Sequence, residues 1–432
     1  MNKQNKSSTD HFLLVEFGEV ITRFILISLS KTDLKVVGFL EMMTGVFYSD
    51  EAEFYFEQAL KQLEKSTNRR LISRGLLLVL DSPSKGIKGV SFVGDKKLEE
   101  KVEAFKIFKV NPPKEVMRLF LEIVQPLGVD LSFVGVNQTC LGGGNTSGQE
   151  LHVFEKNVKE ALMKLVKDSL DLERVSLWLP FDIDFKELEN YIANKSVYPQ
   201  TIPASQRDFA IEHALIKELL NHDRDRLKVS SEQNKVVLSG TWIYSALSIE
   251  QLLLTAIDGL QFSGITYLFT DRYNILKMLA PIFFKLPEEE KKSLLTSLIT
   301  HQVTVLTLQG PIVNNKNLGK VLIDQGVEDK QELILKGGEL FYLPFKEKVN
   351  LRFQIGQSYG IFDSQLGMSK SGKEHTFELT VQGGKRGILI DTRGRPITIF
   401  GGREGKKQII AWQEAVDMYH KVQHFGEQKE EV

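Results

Sequence analysis

Residues Phe12 to Leu29, FLLVEFGEVITRFILISL, set two apolar runs on either side of a single glycine, Gly18, with charged residues gathered at the turn. Runs of this kind hinged at a glycine predict two paired strands. A tight glycine turn can aim several backbone N–H groups at one point, and a hydroxyl and a cation complete such an anion site. Here the turn carries Glu16 and Glu19 instead. A carboxylate about 4 Å from a phosphate charge is repelled by about 4 kcal/mol at an effective dielectric of about 20. Three readings stay open: a plain hairpin whose glutamates face water, a working nucleotide turn, and a decayed one.

At 432 residues the chain has room for two or three domains, with ordinary globular usage of 42% hydrophobic and 26% charged residues. The 55 basic and 56 acidic side chains cancel, and no basic stripe is interleaved with aromatics, so nucleic acid is not an expected partner. The single cysteine, Cys140, leaves no intrachain disulfide and no Cys-based zinc site, and reads as a small hydrophobe in a reducing interior. The opening MNKQNKSSTD has no apolar signal core, and no run of about eighteen apolar residues occurs. No transmembrane segment and a cytoplasmic location are expected.

After the hairpin the pattern predicts a third strand at Leu34 to Leu40, a helix carrying Phe54, Phe56, Ala59, Leu60 and Leu63, and strand segments at Gly75 to Leu80 and Gly89 to Val93. Strand, strand, strand, helix, strand opens one α/β lobe. A helix follows from Pro112 to Val124 and a strand from Asp130 to Val136. The segment LGGGNTSG, Leu141 to Gly148, lacks the lysine of a phosphate loop and reads as a linker. Next come a helix at Glu155 to Leu170, a strand at Val175 to Leu179, and a helix at Asp208 to His222. A strand at Val236 to Leu238 turns at Ser239 and Gly240 into a helix, TWIYSALSIEQLLLTAIDGL. From Gly310 to Phe400, β-rich runs at Leu333 to Leu335, Glu339 to Pro344, Asn350 to Ile355, His375 to Val381, Gly387 to Ile390 and Pro396 to Ile399 predict a small sandwich or barrel. A helix at Gln408 to His420 and a charged tail close the chain.

Few side chains have the spacing of a reactive site. Asp182 and Asp184 read as helix N-terminal acids, and His213 and His222 as surface or helix-end histidines; neither pair has metal-ligand spacing, and no catalytic or metal residue is assigned. The arginine-rich turn GGKRGILIDTRGRPI has two open readings. Its Arg393 and Arg395 either meet an anion or an acidic partner surface, or pair locally with acids such as Asp391 and Glu404.

Three stretches, ELENYIANKSVYPQTIPASQRDFAIEHALIKELL, VVLSGTWIYSALSIEQLLLTAIDGLQFSGITYLFTDRY and GGKRGILIDTRGRPI before AWQEAVDMYH, resemble the glutamate mutase L family, actin-like accessory proteins of cobalamin-dependent carbon-skeleton mutases. The similarity is strongest from Leu188 to Tyr419, and DTRGRP at Asp391 to Pro396 is its sharpest match. It implies an α/β fold, the two-lobed actin-like (ribonuclease H-like) ATPase fold, here with a C-terminal β-rich domain. The expected segments are a tail at 1–10, a first lobe at 11–145, a second at 146–309, the β-rich domain at 310–402, and a helix and tail at 403–432.

Such a fold implies ATP with Mg, gripped by two phosphate hairpins and an adenosine-side glycine turn. The family's first hairpin pattern falls on Glu16, Gly18, Glu19, Val20, Thr22 and Arg23, where four of the six positions depart from it. The second hairpin has no evident counterpart in the sequence. The adenosine-side Ser-Gly-Gly becomes Ser239, Gly240 and Thr241, with Trp242 next. The expectation is a vestigial nucleotide site at Glu16, Gly18, Thr22, Arg23, Ser239 and Gly240 with no cofactor bound, and a non-catalytic accessory or scaffold protein. Its partner would be a protein, a cobalamin-dependent mutase or an assembly complex, met in part through Asp391, Arg393 and Arg395. The alternatives are an ATP-dependent reactivator of such a mutase, and an adaptor in an envelope or pilus-assembly complex.

Overall fold

The computed structural model describes residues 10–18, 21–29, 34–68, 89–93, 110–111, 118–119, 132–136, 140–145, 152–167, 169–198, 201–224, 233–240, 242–271, 275–283, 286–324, 331–362 and 374–416. The chain forms two compact units: residues 1–129, 146–154 and 271–300 make unit 1, and residues 130–145, 155–270 and 301–432 make unit 2. The expected strand at 75–80 and the helix at 112–124 lie outside the described residues, apart from a helical pair at 118–119.

Unit 1 is built on a five-stranded sheet. Its strands are β1 (Asp10–Phe17), β2 (Ile21–Leu29), β3 (Leu34–Met43), β4 (Gly89–Val93) and β5 (Val110–Asn111), in the order β3-β2-β1-β4-β5. β1, β2 and β3 are antiparallel, β4 runs parallel to β1, and β5 runs parallel to β4. This is the ribonuclease H-like order that the resemblance implies. The helix Ala52–Thr67 buries Phe56, Ala59, Leu60 and Leu63 at helical spacing against Leu13, Val15, Phe24 and Leu26 of the sheet. Phe54, expected on that face, is 54% exposed. The Phe24 ring lies 5.5 Å from Phe56 and 5.9 Å from Phe47. Gly38 lets this helix come close, because a Cβ there would lie 2.4 Å from Thr67 Cγ2.

Unit 2 repeats the arrangement. Its strands are β6 (Ser132–Val136), β7 (Cys140–Asn145), β8 (His152–Asn157), β9 (Gln233–Ser239), β10 (Gly264–Asp271), β11 (Ile299–Thr307), β14 (Leu340–Leu343) and β17 (Ile388–Asp391). They form one sheet in the order β14-β17-β11-β10-β9-β6-β7-β8. Five of them, β8-β7-β6-β9-β10, reproduce the order of the first sheet, with β6 and β7 antiparallel and β9 parallel to both β6 and β10. The glycine-rich Leu141–Asn145 read as a linker is therefore strand, because β6 supplies a ladder partner to backbone groups that need no side chain.

A second sheet, β13 (Gln331–Lys336), β12 (Asn317–Asp324), β15 (Lys348–Gly356) and β16 (Glu374–Gln382) in that order, is antiparallel throughout. It shares a core with the large sheet through Val321, Leu335, Leu351, Phe353 and Ile355 against Leu306, Leu308, Ile388 and Ile390. Residues 310–402 thus supply strands to both sheets within unit 2. Pro396 to Ile399, expected as strand, is turn and loop. Val175 to Leu179, also expected as strand, lies largely in the helix Ser169–Leu177, because Leu172, Val175 and Leu179 bury one helical stripe. The final helix begins earlier than expected, spanning Gly402–Val416. No helix among the described residues is long and apolar enough to cross a membrane.

Replacing Phe56 by Ala deletes a ring from the centre of the unit 1 core and should lower unfolding stability by about 3–5 kcal/mol. Urea unfolding followed by circular dichroism measures this; a loss below about 1 kcal/mol would contradict the packing described.

Candidate functional site

The hairpin turn in unit 1 is shaped by backbone sterics. Gly18 N donates to Ile21 O at 3.1 Å, and a Cβ on Gly18 would sit 2.7 Å from that oxygen, so the turn closes only on glycine. Glu19 and Val20 lie outside the described residues. The strand register places Glu16 opposite Arg23, and Arg23 opposite Glu41 of β3. Three neighbouring strands thus present acid, base and acid in a row. Arg23 Nη1 lies 3.3 Å from Glu16 Oε2, and Nε lies 3.2 Å from Glu41 Oε1. Glu16 and Arg23 are largely enclosed, while Glu41 reaches solvent. The other predicted donor, Thr22, is fully buried, its hydroxyl 3.0 Å from that of Thr44.

These side chains do not fit a phosphate. The cation that would meet it is held between two carboxylates, the hydroxyl is turned into the core, and the row carries one surplus negative charge. Glu41 and Thr44 were not among the sequence candidates. The signal for Glu41 was its place two residues from the end of an alternating strand, opposite a charged position on β2.

In unit 2, Ser239 ends β9 fully buried, and Gly240 follows at φ +106°, a left-handed value that glycine accepts. Trp242 is buried and its indole N–H donates to Ser239 O at 2.7 Å. The indole thus packs back against the turn that it follows. Thr241 lies outside the described residues. The helix expected here is two helices, Trp242–Ser245 and Ile249–Leu260, the second capped by the Ser248 hydroxyl. The hairpin β6–β7 holds in the second repeat the place that β1–β2 holds in the first, a hairpin that sequence reading did not find. Its glycine-rich return strand was the available signal.

The arginine-rich turn places Asp391 and Arg393 in the interior and leaves Arg395 part-buried. Asp391, at the end of β17, accepts from Arg393 N and Nε at 3.0 Å on Oδ1, and from Arg393 Nη2 at 2.9 Å and Arg395 Nη2 at 2.8 Å on Oδ2. Arg393 Nη1 reaches Asp258 Oδ1 at 2.7 Å, and Lys217 Nζ lies 2.7 Å from Asp258 Oδ2. Arg393 also stacks 4.7 Å from the Trp412 ring, and Arg395 donates to Phe262 O at 2.8 Å. Asp391 is 0% and Arg393 4% exposed. Burial alone would raise the Asp391 carboxyl, but the Arg393 and Arg395 charges overrule it and hold it well below the usual carboxylate range. Of the acids named for local pairing, Asp391 takes both arginines while Glu404 pairs with Lys407.

This network ties the end of β17 to the helices Gln206–Asp223, Ile249–Leu260 and Gly402–Val416. Its members Lys217 and Asp258 were not predicted, although a lone acid inside LLLTAIDGL is the mark of a buried partner. Asp184 caps the helix Phe185–Val197 as expected, accepting from Lys186 N and Glu187 N. His222 pairs with Asp171 at 3.3 Å in the last turn of its helix. His213 is not a surface group: its Nδ1 lies 2.6 Å from Thr255 Oγ1, which itself donates to Gln251 O, so the ring N–H is the donor. Burial, with Lys217 adding to it, lowers His213 from 6.5 to about 4. No group of His, Cys, Asp and Glu among the described residues could hold a metal ion.

No protein-family model matches the chain, and no curated protein matches it. Solved structures do. Component A of (R)-2-hydroxyglutaryl-CoA dehydratase from Acidaminococcus fermentans is 8% identical, with a TM-score of 0.37 over 66% of this chain and 99% of that one. The activator of 2-hydroxyisocaproyl-CoA dehydratase from Clostridium difficile, with bound ADPNP, is 10% identical, with a TM-score of 0.36 over 66% and 96%. The ethanolamine utilization protein EutJ from Carboxydothermus hydrogenoformans is 11% identical, with a TM-score of 0.34 over 65% and 92%.

Removing the Arg393 guanidinium leaves Asp391 and Asp258 short of their shared partner. Arg393→Met should therefore cost about 3–5 kcal/mol in chemical denaturation, and a cost below about 1 kcal/mol would contradict the network. His213 gives a pH test. Its folded value is depressed, so the neutral form belongs to the fold, and the stability it contributes is complete above about 6.5 and lost as pH falls toward about 4. Unfolding free energy measured across that window should fall with acid in the native chain, and should fall less steeply in His213→Gln.

Proposed function

We propose that this protein is a non-catalytic accessory or scaffold protein of actin-like fold that acts by contact with a protein partner rather than by turning over ATP. The carrying observation is Arg23 held between Glu16 and Glu41, with the Thr22 hydroxyl buried against Thr44. A nucleotide at this hairpin would have to break the Arg23 pairs or accept a row of net negative charge, and hydrolysis would further need an acid free to orient Mg²⁺. The strand order, used twice, supports retention of the fold apart from its chemistry. Resemblance to the glutamate mutase L family makes a cobalamin-dependent mutase the partner to try first.

A second reading keeps the nucleotide: an ATP-dependent reactivator of such a mutase. It is favoured by the presence of hairpins at the corresponding place in both repeats, β1–β2 and β6–β7. The adaptor of an envelope or pilus-assembly complex shares the first reading's independence from ATP and differs in its partner.

Thermal unfolding with and without Mg-ATP and Mg-ADP separates these readings. A ligand at about a hundred times its dissociation constant adds about 2.7 kcal/mol and raises the midpoint. The proposal expects no rise at millimolar nucleotide; a rise of several degrees, with phosphate release abolished by Glu16→Ala, would establish the second reading.

A further inference from the structure

Glu218 is a buried acid that neither the hairpin row nor the arginine network engages. It lies in the helix Gln206–Asp223, 3% exposed, where that helix packs against the helix Ser169–Leu177. Its Oε1 accepts from the Trp178 indole N–H at 2.7 Å. Among the described residues no donor reaches Oε2, which is also shut off from solvent. A carboxyl group buried with one neutral donor is costly when charged and far less so when it carries a proton.

The cations nearby are committed elsewhere. Asp171, 6% exposed, takes both His222 Nε2 at 3.3 Å and Arg174 Nη1 at 3.7 Å on its Oδ1. More than half of the Arg174 side chain is in water, which screens its charge. Lys217 lies over the Trp178 ring at 4.7 Å with its Nζ on Asp258, the acid that the helix Ile249–Leu260 brings to this interface. Glu250, at the start of that helix, is held by Arg386. From the helix Gly402–Val416, Lys406 donates to Ser176 O at 3.2 Å, and in the helix Phe185–Val197 Lys195 is paired with Glu212. Burial is the largest influence on Glu218 and raises its proton affinity; Asp171 adds to it, while the Trp178 bond, Arg174 and His222 oppose it without overcoming it.

We propose that Glu218 is a proton-held joint: it sits in the fold as the neutral acid, and the contact between the helices Ser169–Leu177 and Gln206–Asp223 loosens as rising pH takes that proton into solvent. The charge so created has no water and no cation against Oε2, and the carboxylate of Asp171 stands near it. Opening the Trp178 edge to water relieves it. The folded chain holds this proton more tightly than the unfolded one, so the stability that Glu218 contributes is complete below the ordinary value of 4.5 and declines as pH rises through the higher folded value. This runs opposite to His213, whose contribution is lost toward acid.

The test uses the full chain labelled with nitrogen-15 at tryptophan, which gives indole N–H signals from Trp178, Trp242 and Trp412, the first assigned by Trp178→Phe. The Trp178 signal should titrate with a midpoint above about 5.5, a proton affinity at least about tenfold that of a free glutamate. Trp242 and Trp412 donate to backbone carbonyls and should stay in place. The transition should vanish in Glu218→Gln, which keeps an acceptor for the indole, and persist in His222→Gln. Thermal midpoints of the native chain and Glu218→Gln, compared from about pH 5 to about pH 8, should diverge by about 1–3 °C in favour of the variant as pH rises. A Trp178 signal that is static or moves only below about 4.5 overturns the proposal on the native chain alone, whether or not the variant folds. Persistence of the transition in Glu218→Gln, its loss in His222→Gln, or a midpoint difference that is constant or narrows with pH overturns it as well.

Discussion

Arg23 stands between Glu16 and Glu41, one strand away on either side, and the charge available at the unit 1 hairpin follows from that placement. A cation at the root of a tight hairpin is useful to an anion only when its charge is uncommitted. Here antiparallel pairing fixes its neighbours, since cross-strand residues on one face sit about 5 Å apart and opposite charges there attract. With Glu16 and Arg23 largely enclosed, opening either pair exposes a poorly solvated charge. The backbone of a tight glycine hairpin is thus kept while the side chains beside it close on one another.

Unit 2 uses charge differently. Asp391, Arg393, Asp258 and Lys217 are buried, and their value lies in geometry as much as in energy. A buried ionic array often gains little over an apolar core of the same shape, yet losing one member is costly because the others are stranded. The planar Arg393 fork satisfies two carboxylates from different elements while its face rests on Trp412. The stretch from Asp391 to Arg395 thus serves interior fastening.

Local periodicity carried much of the fold. β1 to β3, the helix Ala52–Thr67 and five of the six expected C-terminal strands were legible because alternation and helical spacing reflect which face is buried. What failed had a physical reason in each case. Leu141 to Asn145 looked like a linker because glycine hides strand propensity, which β6 then overrides by pairing. Val175 to Leu179 reads apolar at every turn of either period, and only tertiary packing decides it. The hairpin residues were identified by motif, but that Arg23 would be consumed by Glu41 depended on a register between strands that no local window contains. Likewise Arg393 finds Asp258 across 135 positions of sequence.

If the Glu16–Arg23–Glu41 row is what denies the hairpin to phosphate, removing its acids should restore access. Isothermal titration of Mg-ATP into the native chain and into a Glu16→Ala, Glu41→Gln double variant addresses this directly. The account predicts no measurable heat of binding for the native protein and a new, salt-sensitive site in the variant. Binding to the native chain that the double substitution weakens would contradict it.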